Sequence, residues 1–120
     1  MPRPTILVAE REPFQALSAR KLVLETAKFN VITAHSTQEG LDLFAQFPKV
    51  SMVVMVQDEK IDCERIARTI REASPKAPIV ALSPSVGARC DWADTTLSSH
   101  DPEALVNFAR SLLGDPRNLE

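Results

Sequence analysis

The chain has no tyrosine, one tryptophan, two cysteines and no long apolar run. Crossing a bilayer as a helix takes about 18 consecutive apolar residues, and no stretch approaches that, so no membrane partner is expected. The opening Met1-Pro2-Arg3-Pro4 carries one charge and is followed by no extended apolar segment, so it does not read as a signal peptide. Charge is also nearly absent in sum. A net value of -2 gives no long-range pull toward nucleic acid or anionic lipid. Cys63 and Cys90 stand apart and match no metal-binding spacing. Free thiols in a reducing cytoplasm are the expectation for both. The third apolar run, from Val50 to Val56, lacks any carboxylate where it ends.

What remains is an ordinary globular mixture, 44% hydrophobic and 25% charged over 120 residues, enough for one domain with a real core. Residues 1–114 read as that domain and 115–120 as a tail or linker. Leu119-Glu120 has the look of residues appended by a cloning vector, in which case the natural chain continues past 118.

Apolar runs alternate with helical patterns, and there are no repeats. Thr5 to Ala9 is a short run without polar alternation, as expected of a strand buried on both faces. Glu12-Pro13 opens a helix on which Leu17 and Leu24 share a face. Asn30 to Ala34 is a second strand. Ser36-Thr37-Gln38-Glu39 is a capping box, and Gly40, Leu43, Phe44 and Phe47 follow at amphipathic spacing until Pro48. Val50 to Val56 is the third strand. Asp62 caps a helix whose inner face is Cys63, Ile66, Ala67 and Ile70. Pro75 and Pro78 bracket the turn into a fourth strand, Ile79 to Leu82, and Thr95 to Leu97 is a weaker fifth. Asp101-Pro102 starts the last helix, with Leu105, Phe108, Ala109 and Leu112 facing inward and Gly114 and Pro116 ending it. The alternation predicts an α/β, flavodoxin-like three-layer sandwich with a five-stranded parallel sheet in the order 2-1-3-4-5. Ligands of such sheets bind beyond the carboxyl ends of the strands, here Glu10-Arg11, Met55 to Asp58, Ser83 and Ser98-Ser99.

Five segments, in order and at matching spacing, resemble those of response-regulator receiver (CheY-like) domains: Ile6 to Pro13, Asp62 to Arg71, Pro78 to Ser83, Ala93 to Leu97 and Asp101 to Leu105. The resemblance covers nearly the whole chain. It implies a cytoplasmic, non-enzymatic domain of bacterial two-component signal transduction. Its partner would be a protein: a histidine kinase, an attached output domain or a second copy of itself.

The departures from the family pattern carry the functional content. Receivers hold Mg²⁺, a hard cation with oxygen ligands, on carboxylates at the first strand end. Glu10 could still ligate, but Arg11 brings a fixed positive charge beside it, so no metal or cofactor is expected. The phosphoacceptor falls on Met55 counted from Asp62, or on Val56 counted from Pro48, and neither is an acid. The family's lysine falls on Ser98 or Ser99 and its aromatic switch on Thr96. Ser83 alone survives from the phosphate-sensing set. The joint loss is expected of a pseudo-receiver that is not phosphorylated and acts as a protein-interaction module, since phosphoryl transfer depends on positioned charge and a metal. A displaced acceptor at Asp58, supported by Glu10 and Glu12, is the first rival. A small-ligand-binding flavodoxin-like domain reusing the same end is the second. The segment after Ser83 is short by about one and a half helical turns and holds poor helix formers, so the family's fourth helix is expected to be shortened or irregular.

Blander roles compete for other residues. Cys63 reads as a buried small hydrophobe rather than a reactive thiol, and Cys90 as the more exposed of the two. His35 and His100 read as loop residues. Trp92 is either a packing residue or an interface anchor, and Arg65, Arg68 and Arg71 form a solvated helix face.

Overall fold

A computed structural model describes residues 4–11, 19–58, 61–84 and 90–115. Nine elements run β1 (Thr5–Ala9), α1 (Ala19–Thr26), β2 (Asn30–Ala34), α2 (Thr37–Gln46), β3 (Met52–Val56), α3 (Cys63–Ala73), β4 (Ile79–Ser83), β5 (Thr95–Ser98) and α4 (Pro102–Leu113). The strands form one five-stranded sheet, all neighbours parallel, in the order β2-β1-β3-β4-β5. The expected architecture is therefore present. The third strand begins at Met52 rather than Val50, and the opening of the first helix, with Pro13 and Leu17, lies outside the described residues.

The period of two along each strand sorts the core into two layers. Leu7, Ala9, Val53, Met55, Ile79 and Ala81 point to one face and join Phe44 of α2 and Ile66, Ala67 and Ile70 of α3. Ile6, Val8, Met52, Val54, Val80 and Leu82 point to the other and join Leu24 of α1 and Leu105, Val106 and Ala109 of α4. Burying a Val, Leu or Ile side chain contributes about 1.5–3 kcal/mol, so these layers dominate the stability. Because β1, β3 and β4 are covered on both sides, their runs are apolar without alternation.

Helix starts follow the sequence. Ser36 Oγ accepts the Glu39 N–H (3.1 Å), an Asp62 carboxylate oxygen accepts the Arg65 N–H (3.0 Å), and an Asp101 oxygen accepts the Ala104 N–H (3.0 Å). Thr37 Oγ1 also accepts the Asp62 N–H (2.8 Å) and so ties the starts of α2 and α3 together. Two inward placements are corrected. Phe47 is 44% exposed and Leu112 47%. Phe47 is the cap residue beyond α2, with non-helical φ of -125° and ψ of 67°, so it leaves the helical rotation that aimed it inward. Leu112 lies in the last turn of α4. The buried arc of that helix runs through Leu105, Val106, Ala109 and Leu113, and Leu112 falls outside it by one residue of helical rotation.

Arg71 is also more than a solvated charge. Its guanidinium donates to an Asp94 carboxylate oxygen (2.9 Å) and to the Pro75 carbonyl (3.1 Å), while the other Asp94 oxygen accepts the buried Ile79 N–H (2.8 Å). The Asp94 N–H returns a bond to the Ile79 carbonyl (2.8 Å). One carboxylate thus fixes the end of α3, the start of β4 and the approach to β5. Asp94→Ala should lower the unfolding free energy by about 2 kcal/mol in urea titrations, chiefly because the Ile79 amide loses its acceptor. The ion pair is partly exposed and adds little.

Candidate functional site at the carboxyl ends of the strands

Strand register aligns the residues singled out above. Ala9 of β1, Met55 of β3 and Ala81 of β4 lie side by side. Val56 pairs with Leu82, and Ser83 with Ser98 of β5. Glu10 follows Ala9 and is 3% exposed. Its N–H donates to the Ala34 carbonyl (2.9 Å). His35 Nδ1 stands 3.3 Å from the Glu10 carbonyl oxygen, a hydrogen bond when that nitrogen carries the proton, since a carbonyl can only accept. Arg11 is exposed.

Met55 is fully buried, in the layer that also contains Ala9, Ile61, Ala81 and Cys90. Val56 turns to the opposite face. Asp62, from which one of the two counts starts, is the cap of α3. A thioether has no oxygen to attack phosphorus or bind a hard cation.

Beyond the strand, the Gln57 N–H donates to the Leu82 carbonyl (2.9 Å), and the Asp58 carbonyl accepts the Ile61 N–H (3.1 Å). Asp58 is half-buried, so it is less solvated than a loop-tip charge. Ser83 is 6% exposed at the end of β4, and its carbonyl accepts the Ser99 N–H (2.9 Å). Ser98 is exposed, and its hydroxyl accepts the His100 N–H (3.2 Å). Thr96 is exposed on the edge strand and pairs with Ala81. The fold therefore gathers Glu10, Met55 and Ser83 at one end and leaves Thr96 on the outer surface. His100 also has a definite contact: its Nε2 lies 3.1 Å from the Pro84 carbonyl oxygen, linking the turns that follow β4 and β5.

The cysteines require a larger correction. Cys63 and Cys90 are joined in a disulfide, with their Cα atoms 6.3 Å apart, and Cys90 is buried at 9% exposure. Neither is the free thiol expected of a chain in a reducing cytoplasm, although 27 positions separate them in sequence. The 11 residues of α3 carry the chain about 16 Å. The five residues of β4 bring it back about the same distance, so the start of α3 and the exit of β4 share one end of the sheet. That out-and-back equality was the available signal. No helix occurs among the described residues between Ser83 and Thr95. Residues 85–89, where a remnant of the family's fourth helix was expected, lie outside them.

Two cavities, of about 630 Å³ and 490 Å³, lie at the opposite end of the sheet. They are lined by residues such as Thr5, Asn30, Phe47 and Val50, and by Ser74, Pro75 and Pro78.

No protein-family model and no curated protein matches the chain. Solved structures do. A response regulator receiver domain protein from Clostridium thermocellum is 21% identical, with a TM-score of 0.76 over 98% of this chain and 99% of the other. The response regulator TrrA from Thermotoga maritima, in complex with Mg²⁺ and BeF, is 24% identical, with a TM-score of 0.73 over 92% and 99%. The CheX–CheY–BeF3–Mg complex from Borrelia burgdorferi contains a chain 17% identical, with a TM-score of 0.70 over 90% and 87%. At these identities the match is one of fold: the chain has the CheY-like form of the flavodoxin-like sandwich.

Proposed function

We propose that this chain is a receiver domain of a bacterial two-component system that has lost aspartyl-phosphate chemistry and works as a protein-docking module. The observation that carries the reading is Met55, buried in an apolar layer at the strand end where a receiver keeps its acceptor. The rest of the end agrees. Magnesium needs several oxygen ligands, and the thioether of Met55 supplies none. The acid beside Met55 is Glu10, followed by the fixed charge of Arg11, so these residues do not fit the ion. Ser98 and Ser99 supply no cation for a phosphoryl group, and Thr96 supplies no ring.

Receiver-fold proteins dock other proteins, as the CheX–CheY complex illustrates. By that analogy the partner is a signalling protein such as a kinase, an attached output domain or a second copy, and the site of action is the cytoplasm. No helix among the described residues is long and apolar enough to cross a membrane.

Incubation with acetyl phosphate and Mg²⁺, or with beryllofluoride and Mg²⁺, tests the proposal. The intact mass should stay constant and no saturable binding of the mimic should develop. A stable one-phosphate adduct contradicts it, and loss of that adduct in Asp58→Ala would identify a displaced acceptor.

A further inference from the structure

We infer that the outer edge of β2 and the cavity beside it form a docking site for an extended segment of a partner protein, apolar and carrying a carboxylate. This rests on the docking function proposed above, to which it adds a surface and the chemistry of the partner. β2 is the last strand on its side of the sheet. Along a strand, successive backbone N–H and C=O pairs point alternately to the two sides in the plane of the sheet. The Asn30 N–H donates to the Pro4 carbonyl (3.0 Å), and the Ala34 carbonyl accepts the Glu10 N–H (2.9 Å), so Asn30, Ile32 and Ala34 face β1. Val31 and Thr33 therefore turn their N–H and C=O groups outward, where no strand follows among the described residues. Natural edges of this kind are blunted by a charge, a proline or a bulge. Asn30–Ala34 has no charged residue and no proline, and pairs with β1 in unbroken register.

The same strand lines a cavity. Asn30 and Ile32, with Thr5, Phe47, Pro48 and Lys49, border about 630 Å³, and the Phe47 ring is exposed there. An added strand would run about 4.8 Å from β2, with every second side chain on the face of the sheet that carries Ile32. Charge defines the occupant further. Among the described residues Lys49 is the one charged group bordering the cavity, and Lys28 precedes β2 by two positions. Both are exposed, and neither has an ion pair among the described residues. The acids nearest to them in sequence are engaged elsewhere, Glu25 with Lys21 (3.9 Å) and Asp42 with Gln38 (2.9 Å). A carboxylate on the arriving segment would answer these lysines. A second copy of the chain fits less well. Its own β2 would bring lysines and no carboxylate to the edge. Two five-residue edges, each about 16 Å long, also fall well short of the roughly 1,200 Å² that a stable dimer buries. Strand addition to an edge, with main-chain bonds for affinity and a pocket for selectivity, is an established mode of peptide recognition.

The test selects a phage-displayed library of short random peptides on the whole chain, then titrates the enriched peptides, made synthetically, into ¹⁵N-labelled protein. Enriched peptides should alternate apolar residues and carry Asp or Glu, and the largest amide shifts should fall on Val31 and Thr33. The Thr33 hydroxyl has no hydrogen-bond partner, and proline is tolerated on an edge strand, so Thr33→Pro removes an outward N–H and little else. It should weaken binding about tenfold. Lys49→Glu should weaken it about fivefold, and Phe47→Ser, at an exposed position, should also lower affinity without disturbing the fold. Absence of enrichment would overturn the inference. So would shifts that map away from β2, or affinities that all three substitutions leave unchanged. A concentration-dependent dimer in sedimentation, with Val31 and Thr33 shifted in the absence of peptide, would overturn it in favour of a second copy. Phosphoryl uptake is read separately by intact mass, so an adduct there would defeat the proposed loss of phosphate chemistry and leave the edge binding to stand or fall by these titrations.

Discussion

Met55→Asp should leave the chain unable to take up phosphate from acetyl phosphate and Mg²⁺, and should lower its unfolding free energy by about 3–5 kcal/mol. The side chain at this position is fully buried, with Ala9 and Ala81 beside it on the neighbouring strands, in the apolar layer that also holds Ile61 and Cys90. A carboxylate there would lose its hydration without gaining a cation or a set of amides to replace it. Methionine suits the site because its flexible, apolar chain fills irregular gaps. Met55→Leu should therefore cost less than about 1.5 kcal/mol, and comparison of the two in urea at neutral pH isolates charge from shape. A stable aspartate variant that gains a phosphate would mean that only the acid was missing and that the rest of the apparatus is intact.

Reduction of the Cys63–Cys90 bond should lower the melting temperature by roughly 10–15 °C. The bond closes a loop spanning 27 residues of sequence separation. On the chain-entropy account, a loop of that size restrains the unfolded ensemble by about 3.5 kcal/mol. With the entropy of unfolding expected for a domain of this length, that energy converts to the stated shift. The comparison is between scans with and without a dithiol, and Cys90→Ser should melt near the reduced protein. A shift of only a degree or two would mean that the loop is already held in the unfolded chain or that the bond is offset by strain in the fold.

The strands and the starts of α2, α3 and α4 could be read from the residues because each follows from local chemistry, and the strand order followed from the alternation of strands and helices. A run buried on both faces must be apolar throughout, and a cap needs an oxygen at a fixed offset. The features missed depend on the third dimension or on an unusual choice of residue. Asp94 reaches Ile79 and Arg71 only after β4 and β5 have paired. Lys28 takes a positive φ of 76°, a place where glycine is the usual signal. It ends α1 with the Phe29 N–H reaching back to the Leu24 carbonyl (3.1 Å) and the Lys28 N–H to that of Glu25 (2.9 Å). The sequence has no glycine there to announce the turn. At the candidate site the strand end without a carboxylate could be read directly, but the faces taken by Met55 and Val56 could not. One residue of register turns a strand side chain to the other face, and the paired sheet puts Met55 in the layer of Ala9 and Ala81 and Val56 in the opposite one.

Strand order also bears on how the chain assembles as it is made. β1 lies between β2 and β3, and β4 and β5 add in turn at the free edge of β3. By the time Val56 has left the ribosome, β2, β1 and β3 can already be aligned. Each later strand then joins an open margin, and none has to be inserted between two that have closed on each other. Growth from the N-terminus and growth of the sheet therefore run in the same direction.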